Sequence, residues 1–187
     1  MTTPVIEAHD FRTALGHFCT GVTVVTGMGG DDVPVGFACQ SFSALSLDPP
    51  LVLFCPGNTS RAWPVIQQAG SFVVNLLAED QRDLSTTFGS RTADKFAGVS
   101  WRAAESGAPI LEGALGWIDC TIEAVHDGGD HRIVVGRVTT LGAPRPDRPL
   151  LFYRGRYTGT FPERGEAIPA GLSLDAFLTW PVGDDWL

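Results

Sequence analysis

The chain of 187 residues, 44% apolar and 18% charged, has the composition of one folded domain with a real core, and its 22 scattered glycines and 13 prolines suggest turns between short strands instead of a disordered linker. Its formal net charge of -8 repels polyphosphate and anionic lipid, so no nucleic acid and no membrane surface is expected as a partner, and a phosphorylated ligand needs a local cluster of donors. There is no run of ~18 apolar residues to cross a bilayer, and the start, Met1 to Asp10, has no cationic apolar leader; a cytoplasmic location is expected.

In chain order, His9 to Phe18 places Phe11, Leu15 and Phe18 at helical spacing, with Asp10 as a cap and Gly21 beyond its end. Val22 to Thr26 is a β-branched run, Met28 to Asp32 a turn, and Val33 to Ser43 a second extended run, which together predict a hairpin. The turn is no dinucleotide fingerprint, because Asp32 stands at the third glycine position and two carboxylates there repel a pyrophosphate. Leu51 to Cys55 is an apolar strand, and Thr59 to Gln68 a helix that Pro64 kinks or delays. Ser71 to Leu76 reads as a strand, Glu79 to Phe88 as a helix, and Ser90 to Gly107 as an irregular basic and aromatic crossing. Trp117 to His126, a tight turn at Asp127 to Asp130, and His131 to Leu141 form the clearest hairpin. Pro149 to Tyr157 supplies a last strand, and a short helical patch is expected around Leu172 to Leu178.

Short strands with hairpin turns and few interrupting helices predict an antiparallel barrel rather than a parallel sheet. One domain spanning 1–187 is expected, with 162–187 as a C-terminal extension on or near the barrel. Cys19, Cys39, Cys55 and Cys120 lack a C-x-x-C pair or histidines at zinc spacing, and read as reduced, mostly buried thiols.

Four segments carry candidate chemistry. From Gly36 to Ser46, small and hydroxyl residues recur where bulky aliphatics would fill a core; Ser41, Ser43 and backbone N–H groups suit a flat ring system with polar edges, although a serine-rich edge strand facing water has the same composition. Leu53 to Arg61 runs from a strand end into a helix start, where Thr59, Ser60 and Arg61 offer donors to a terminal phosphate, or simply a cap and a solvated arginine. Ser90, Arg91, Thr92 and Lys95 put further donors in a loop. His131 opens a strand after a turn, a place for a structural histidine or for one that reaches over a bound ring.

In order and spacing, TGVTVVT, GFACQSFSALSLDPPLVLFC, FVVNLL, GDHRIVVGRV and PLLFYRGRY resemble the flavin reductase-like family with the FMN-binding split-barrel fold. The resemblance covers Thr20 to Tyr157. It implies a mainly β fold, a six-stranded antiparallel Greek-key barrel with a few peripheral helices, assembled as a homodimer. It further implies an NAD(P)H:flavin oxidoreductase that supplies reduced FMN or FAD, by diffusion, to a flavin-dependent oxygenase acting on aromatic or steroid rings, with NADH favoured and NADPH open. Flavin would be held by Gly36, Phe37, Ala38, Cys39, Gln40, Ser41 and Ser43, by Phe54, Cys55, Asn58, Thr59, Ser60 and Arg61, and by Ser90 and Arg91. By the same motif transfer His131 belongs with nicotinamide binding, beside Phe152 and Tyr157. No side chain is expected to act as acid or base, and no metal is expected. A flavin-storage protein on this barrel is the alternative; a second is an oxidase of the pyridoxine-phosphate type, which would need more basic residues for its substrate phosphate and against which 13 Lys and Arg beside 21 acids argue.

Overall fold

The computed structural model describes residues 6–142 and 144–160; the expected helical patch near Leu172 and the extension 162–187 lie outside them. In chain order the elements are α1 (Ala8–Leu15), β1 (Thr20–Gly21), β2 (Thr23–Met28), β3 (Pro34–Cys39), β4 (Ser43–Leu47), β5 (Pro50–Phe54), α2 (Trp63–Ala69), β6 (Ser71–Leu76), α3 (Arg82–Gly89), β7 (Trp101–Ala103), β8 (Pro109–Leu111), β9 (Gly116–Gly128), β10 (His131–Leu141), β11 (Leu151–Tyr153) and β12 (Arg156–Thr158).

The main sheet is antiparallel and has seven strands in the order β3-β2-β6-β9-β10-β5-β4. The mainly β, antiparallel fold is as expected, and the strand count is corrected from six. The additional strand is β4, which directly follows β3 in what reads as one extended run; the three-residue strands β7 and β8, which pair as a separate two-stranded sheet, also escape the alternation pattern. The sheet curls on itself, because strands from both of its ends contribute to one core: Val25 and Cys39 from one side, Val52, Phe54 and Val134 from the other, with Phe72, Val74 and Cys120 between. The Phe37 and Phe54 rings meet across this interior at 6.1 Å. Ser41, in the short link from β3 to β4, ties the end of β3 to the end of β5, accepting from the Cys55 N–H at 3.0 Å and donating to the Cys55 carbonyl at 3.1 Å.

Pro64 sits in the first turn of α2, where its missing N–H costs nothing, so it delays the helix to Trp63 rather than kinking it. Trp63 and Ile66 of this helix enter the core. The first helix ends at Gly16, not near Gly21, with Glu7 rather than Asp10 at its N-cap, and buries none of its residues; Phe11 and Leu15 are exposed, as is Phe18 beyond it. The long hairpin of β9 and β10 turns through Gly129, whose φ of 75° favours glycine. The expected last strand is a second hairpin, β11 with β12, folded at Arg154 and Gly155, both at positive φ. It joins β1 in a three-stranded sheet.

All four cysteines are free thiols. Cys39 and Cys120 are buried, and burial pushes both thiols up, Cys120 to about 12. Cys19 is exposed, which corrects its reading as a buried thiol, and Cys55, in one of the candidate site segments, is half-buried. Within the described residues no helix is long and apolar enough to cross a membrane.

Candidate active site

Two adjoining clefts open along the outer edge of β3. The larger, about 1140 Å³, is walled by β3, by residues 59–62 leading into α2, and by the end of α3 with the loop through Ala97. The smaller, about 600 Å³, runs from Phe37 to Ser41 past Cys55 and Gly57 to His131, Phe152 and Tyr157. Phe37, Ala38, Gly57 and Gly89 line both, so the two spaces meet at the middle of the strand.

The edge itself is the main polar surface of the slot. The Gly36 carbonyl points away from β2, 3.4 Å from Lys95 Nζ. In an antiparallel ladder alternate residues turn their main-chain groups to the same side, so the N–H and C=O of Ala38 also face the cleft, with no neighbouring strand to take them. Gly36 is required by close approach: a Cβ there would lie 2.8 Å from Phe88 Cε1 and 3.0 Å from the Val25 carbonyl. Small residues at 36 and 38 therefore bring α3 against the strand, and the end of α3 presents Ser90 and Arg91 to the larger cleft.

Cations gather in this cleft despite the acidic chain. Arg61 donates to the carbonyls of Arg91 at 2.6 Å and Thr92 at 3.3 Å, across from its own segment. Lys95 donates to the Phe88 carbonyl at 2.6 Å. Burial, and secondly the nearby Arg61 charge, push the Lys95 ammonium below its ordinary value. Arg61, Arg91 and Lys95 line the cleft together with the carboxylates of Asp32 and Asp94; Arg61 and Lys95 repel one another, and an anion placed between them relieves the repulsion. Thr59, Ser60 and Ser90 line the same space.

At the other end, His131 Nδ1 lies 2.7 Å from Asp130 Oδ1, and this hydrogen bond holds the Asp130 carboxyl below its usual range. With Nδ1 so engaged, Nε2 is the atom left for a ligand; it lies on the Gly57 side, 3.6 Å from where a Cβ of that glycine would stand. The hairpin tip is held there by the Asn58 N–H to the Asp130 carbonyl at 2.9 Å, by Asn58 Nδ2 to the Gly129 carbonyl at 3.0 Å, and by the Arg132 N–H to the Pro56 carbonyl at 2.9 Å.

Fifteen of the expected residues line one cleft or the other: Gly36, Phe37, Ala38, Cys39, Gln40, Ser41, Cys55, Thr59, Ser60, Arg61, Ser90, Arg91, His131, Phe152 and Tyr157. Three do not. Phe54 is fully buried in the barrel core, Asn58 is a strut for the hairpin tip, and the Ser43 hydroxyl bonds the Ala44 carbonyl at 2.9 Å, outside both clefts. Ser85, Thr86 and Gly89 also line the smaller cleft and were not among the expected residues. Ser85 lies three residues before Phe88, so both face inward on α3, and a serine on the apolar stripe of a helix was the available signal.

The donor set and the shape fit a phosphorylated planar ring: a main-chain edge for the ring's polar rim, aromatic walls, and a cationic end for a phosphate. Fold and clefts together define a small antiparallel barrel with one open strand edge, along which such a cofactor would fit. The chain belongs to the flavin reductase like family, whose model matches residues 15–160. It is similar to the reductase subunit HsaB of a flavin-dependent monooxygenase from Rhodococcus jostii (strain RHA1), 56% identical over 182 residues that cover 97% of this chain and 93% of that protein. Among solved structures, nitrilotriacetate monooxygenase component B from Mycobacterium thermoresistibile is similar at a TM-score of 0.81 and 54% identity, covering 90% of this chain and 93% of that one. The NADH:FAD oxidoreductase SgcE6 of Streptomyces globisporus C-1027, in complex with NAD and FAD fragments, matches at 0.79 and 34% identity, over 87% and 99% of the two chains.

Proposed function

We propose that this chain reduces FMN or FAD with electrons from NADH and releases the reduced flavin to a separate oxygenase that acts on aromatic or steroid rings. The observation that carries the reading is the meeting of a cation-lined cleft and a His131-lined cleft at the open edge of β3. The 56% identity to a monooxygenase reductase subunit supports the oxygenase partner.

When bound, the flavin supplies the ring that takes up the electron pair. The chain's own work is positional. Thr59, Ser60, Arg61, Ser90 and Arg91 hold the phosphate; the Ala38 main chain sets the height of the ring; Phe152 and Tyr157 wall the side from which the nicotinamide approaches. The Nε2 atom of His131 offers that second ligand a hydrogen bond. By holding the two ligands side by side these residues would make the transfer effectively unimolecular, a large gain in rate for which no acid or base is needed. Release of the product requires only moderate affinity, which fits a slot built on one sheet edge rather than a deep phosphate loop.

A second copy of the chain is the proposed partner in a homodimer, covering the exposed Phe11, Leu15 and Phe18 beside α1 and Leu45 and Leu47 on the edge strand β4.

Steady-state kinetics test the reading. Purified protein is expected to oxidise NADH only when FMN or FAD is added, and a negligible rate at saturating flavin overturns the proposal. A storage protein would instead stay yellow through purification and show no nicotinamide-dependent bleaching. His131→Ala is expected to raise the KM for NADH about tenfold, the equivalent of one lost hydrogen bond, with the flavin KM unchanged. Equal effects on both substrates remove His131 from the nicotinamide side.

A further inference from the structure

A helical serine or threonine ordinarily returns its hydroxyl to the carbonyl four residues earlier. Thr86 does so, onto Arg82 O at 3.0 Å. Its neighbour Ser85 does not: Ser85 Oγ lies 3.0 Å from the Tyr157 hydroxyl, contributed by a strand 72 residues away. Among the described residues this is the one hydrogen bond either hydroxyl makes. Ser85 is 2% exposed, yet both residues line the smaller cleft. The Tyr157 ring is held on two sides, by the Phe152 edge at 5.3 Å and by the Arg82 guanidinium at 5.2 Å, so the phenol is not free to swing away.

Two hydroxyls carry two protons, and the bond between them uses one. Whichever donates, one O–H and several lone pairs remain side by side in the cleft. The cleft's other hydroxyls are already committed, Ser41 to Cys55 and Thr86 to Arg82. A primary carboxamide presents the complement, a carbonyl that accepts and an NH2 that donates. We propose that the Ser85–Tyr157 pair reads the carboxamide of the nicotinamide donor, with the Tyr157 hydroxyl in contact and Ser85 as the positioning residue that aims it. This rests on the reading of the chain as an NADH-oxidising enzyme.

The test compares NADH with the reduced dinucleotide of 3-acetylpyridine, which keeps the carbonyl and replaces NH2 by methyl. The two donors differ intrinsically in reducing power, but that difference cancels when the ratio of their kcat/KM values is compared between variants. Tyr157→Phe is expected to raise the KM for NADH about tenfold, leave kcat and the flavin KM in place, and narrow the preference for NADH over the analogue by the share of that factor that the NH2 contact carries. Ser85→Ala moves the same quantities in the same direction, and Ser85→Thr, which keeps the hydroxyl, restores them. An active enzyme whose ratio is unchanged in both Tyr157→Phe and Ser85→Ala overturns this inference alone, as does a loss that falls on the flavin KM. A wild-type protein without flavin-dependent NADH oxidation overturns the functional reading and this inference with it.

Discussion

Gly36→Ala is expected to raise the flavin KM by one to two orders of magnitude while the barrel still folds. The added methyl would stand 2.8 and 3.1 Å from two atoms of the Phe88 ring and 3.0 Å from the Val25 carbonyl. Neither neighbour can yield cheaply. Val25 is fully buried and paired on both sides, with Phe37 of β3 and Val74 of β6, and Phe88 is fully buried, packed edge-on against Phe96 at 5.0 Å, which in turn packs on Trp101 at 6.3 Å. The relief left to the structure is to move α3 away from β3, and overpacking of this kind costs roughly 1 to 3 kcal/mol. The larger consequence is for the site. The end of α3 carries Ser90 and Arg91, and Lys95 is hung from the Phe88 and Gly36 carbonyls, so a shift of the helix displaces the phosphate donors relative to the main-chain edge at Ala38. Misplacement by about 1 Å is enough to cost on the order of a hundredfold in a reaction governed by alignment. Gly89→Ala is the internal comparison for packing, since its methyl would meet only Ala38 Cβ, at 3.9 Å; its melting temperature is expected to stay near wild type. Steady-state kinetics with varied flavin, beside thermal melts of both variants, check the result. A wild-type flavin KM in Gly36→Ala would show that α3 does not position the phosphate site.

Much of this site was legible because its signals are local. The paired glycines before His131 dictate a tight hairpin, and a hairpin fixes where the first residue of the returning strand points. The small residues from Gly36 to Ser41 announce a space that the chain does not fill itself. What local pattern did not convey was which side of a strand each residue faces once the sheet curls. Phe54 sits next to Cys55 in sequence, and alternation sends the Phe54 ring into the core and Cys55 to the cleft. Asn58 lies inside a run of ligand-type residues, but its amide is taken by the Gly129 carbonyl, a partner 71 residues away that no window of sequence displays. Ser43 was assigned to the site on the premise of one long strand from Val33; the break at Gln40 starts β4 on the far edge of the sheet and carries Ser43 away from the slot. The split of the last strand into two has the same origin, because Arg154 takes a positive φ that an arginine does not advertise.

The lone asparagine of the FVVNLL strand marks the other position where a single replacement should have a large effect. Asn75→Leu is expected to destabilise the fold by about 3 kcal/mol, through loss of a buried hub rather than loss of volume. Asn75 is fully buried. Its Nδ2 donates to the Val24 carbonyl at 3.2 Å and to Thr26 Oγ1 at 3.1 Å, and lies 3.4 Å from the Pro109 carbonyl, while its Oδ1 accepts the Leu111 N–H at 2.8 Å. Thr26 Oγ1 closes the circuit onto the Pro109 carbonyl at 2.5 Å. The hub thus joins three strands, β2, β6 and β8, and β8 is where the chain returns to the barrel after forming the lip of the larger cleft. Leucine fills similar space but leaves the Leu111 N–H without its buried acceptor, and each such orphan costs about 1 to 3 kcal/mol. Denaturant titration should show the midpoint falling with the slope unchanged, and a thermal melt should drop by about 6 to 12 °C for a chain of this size. Thr26→Val, which removes one spoke and keeps the hub, should lose less, and the double variant should lose less than the sum, because the two side chains share the Pro109 carbonyl. A loss below about 1 kcal/mol in Asn75→Leu, or strict additivity with Thr26→Val, would mean that β8 is held to the barrel by its apolar contacts and not by this amide.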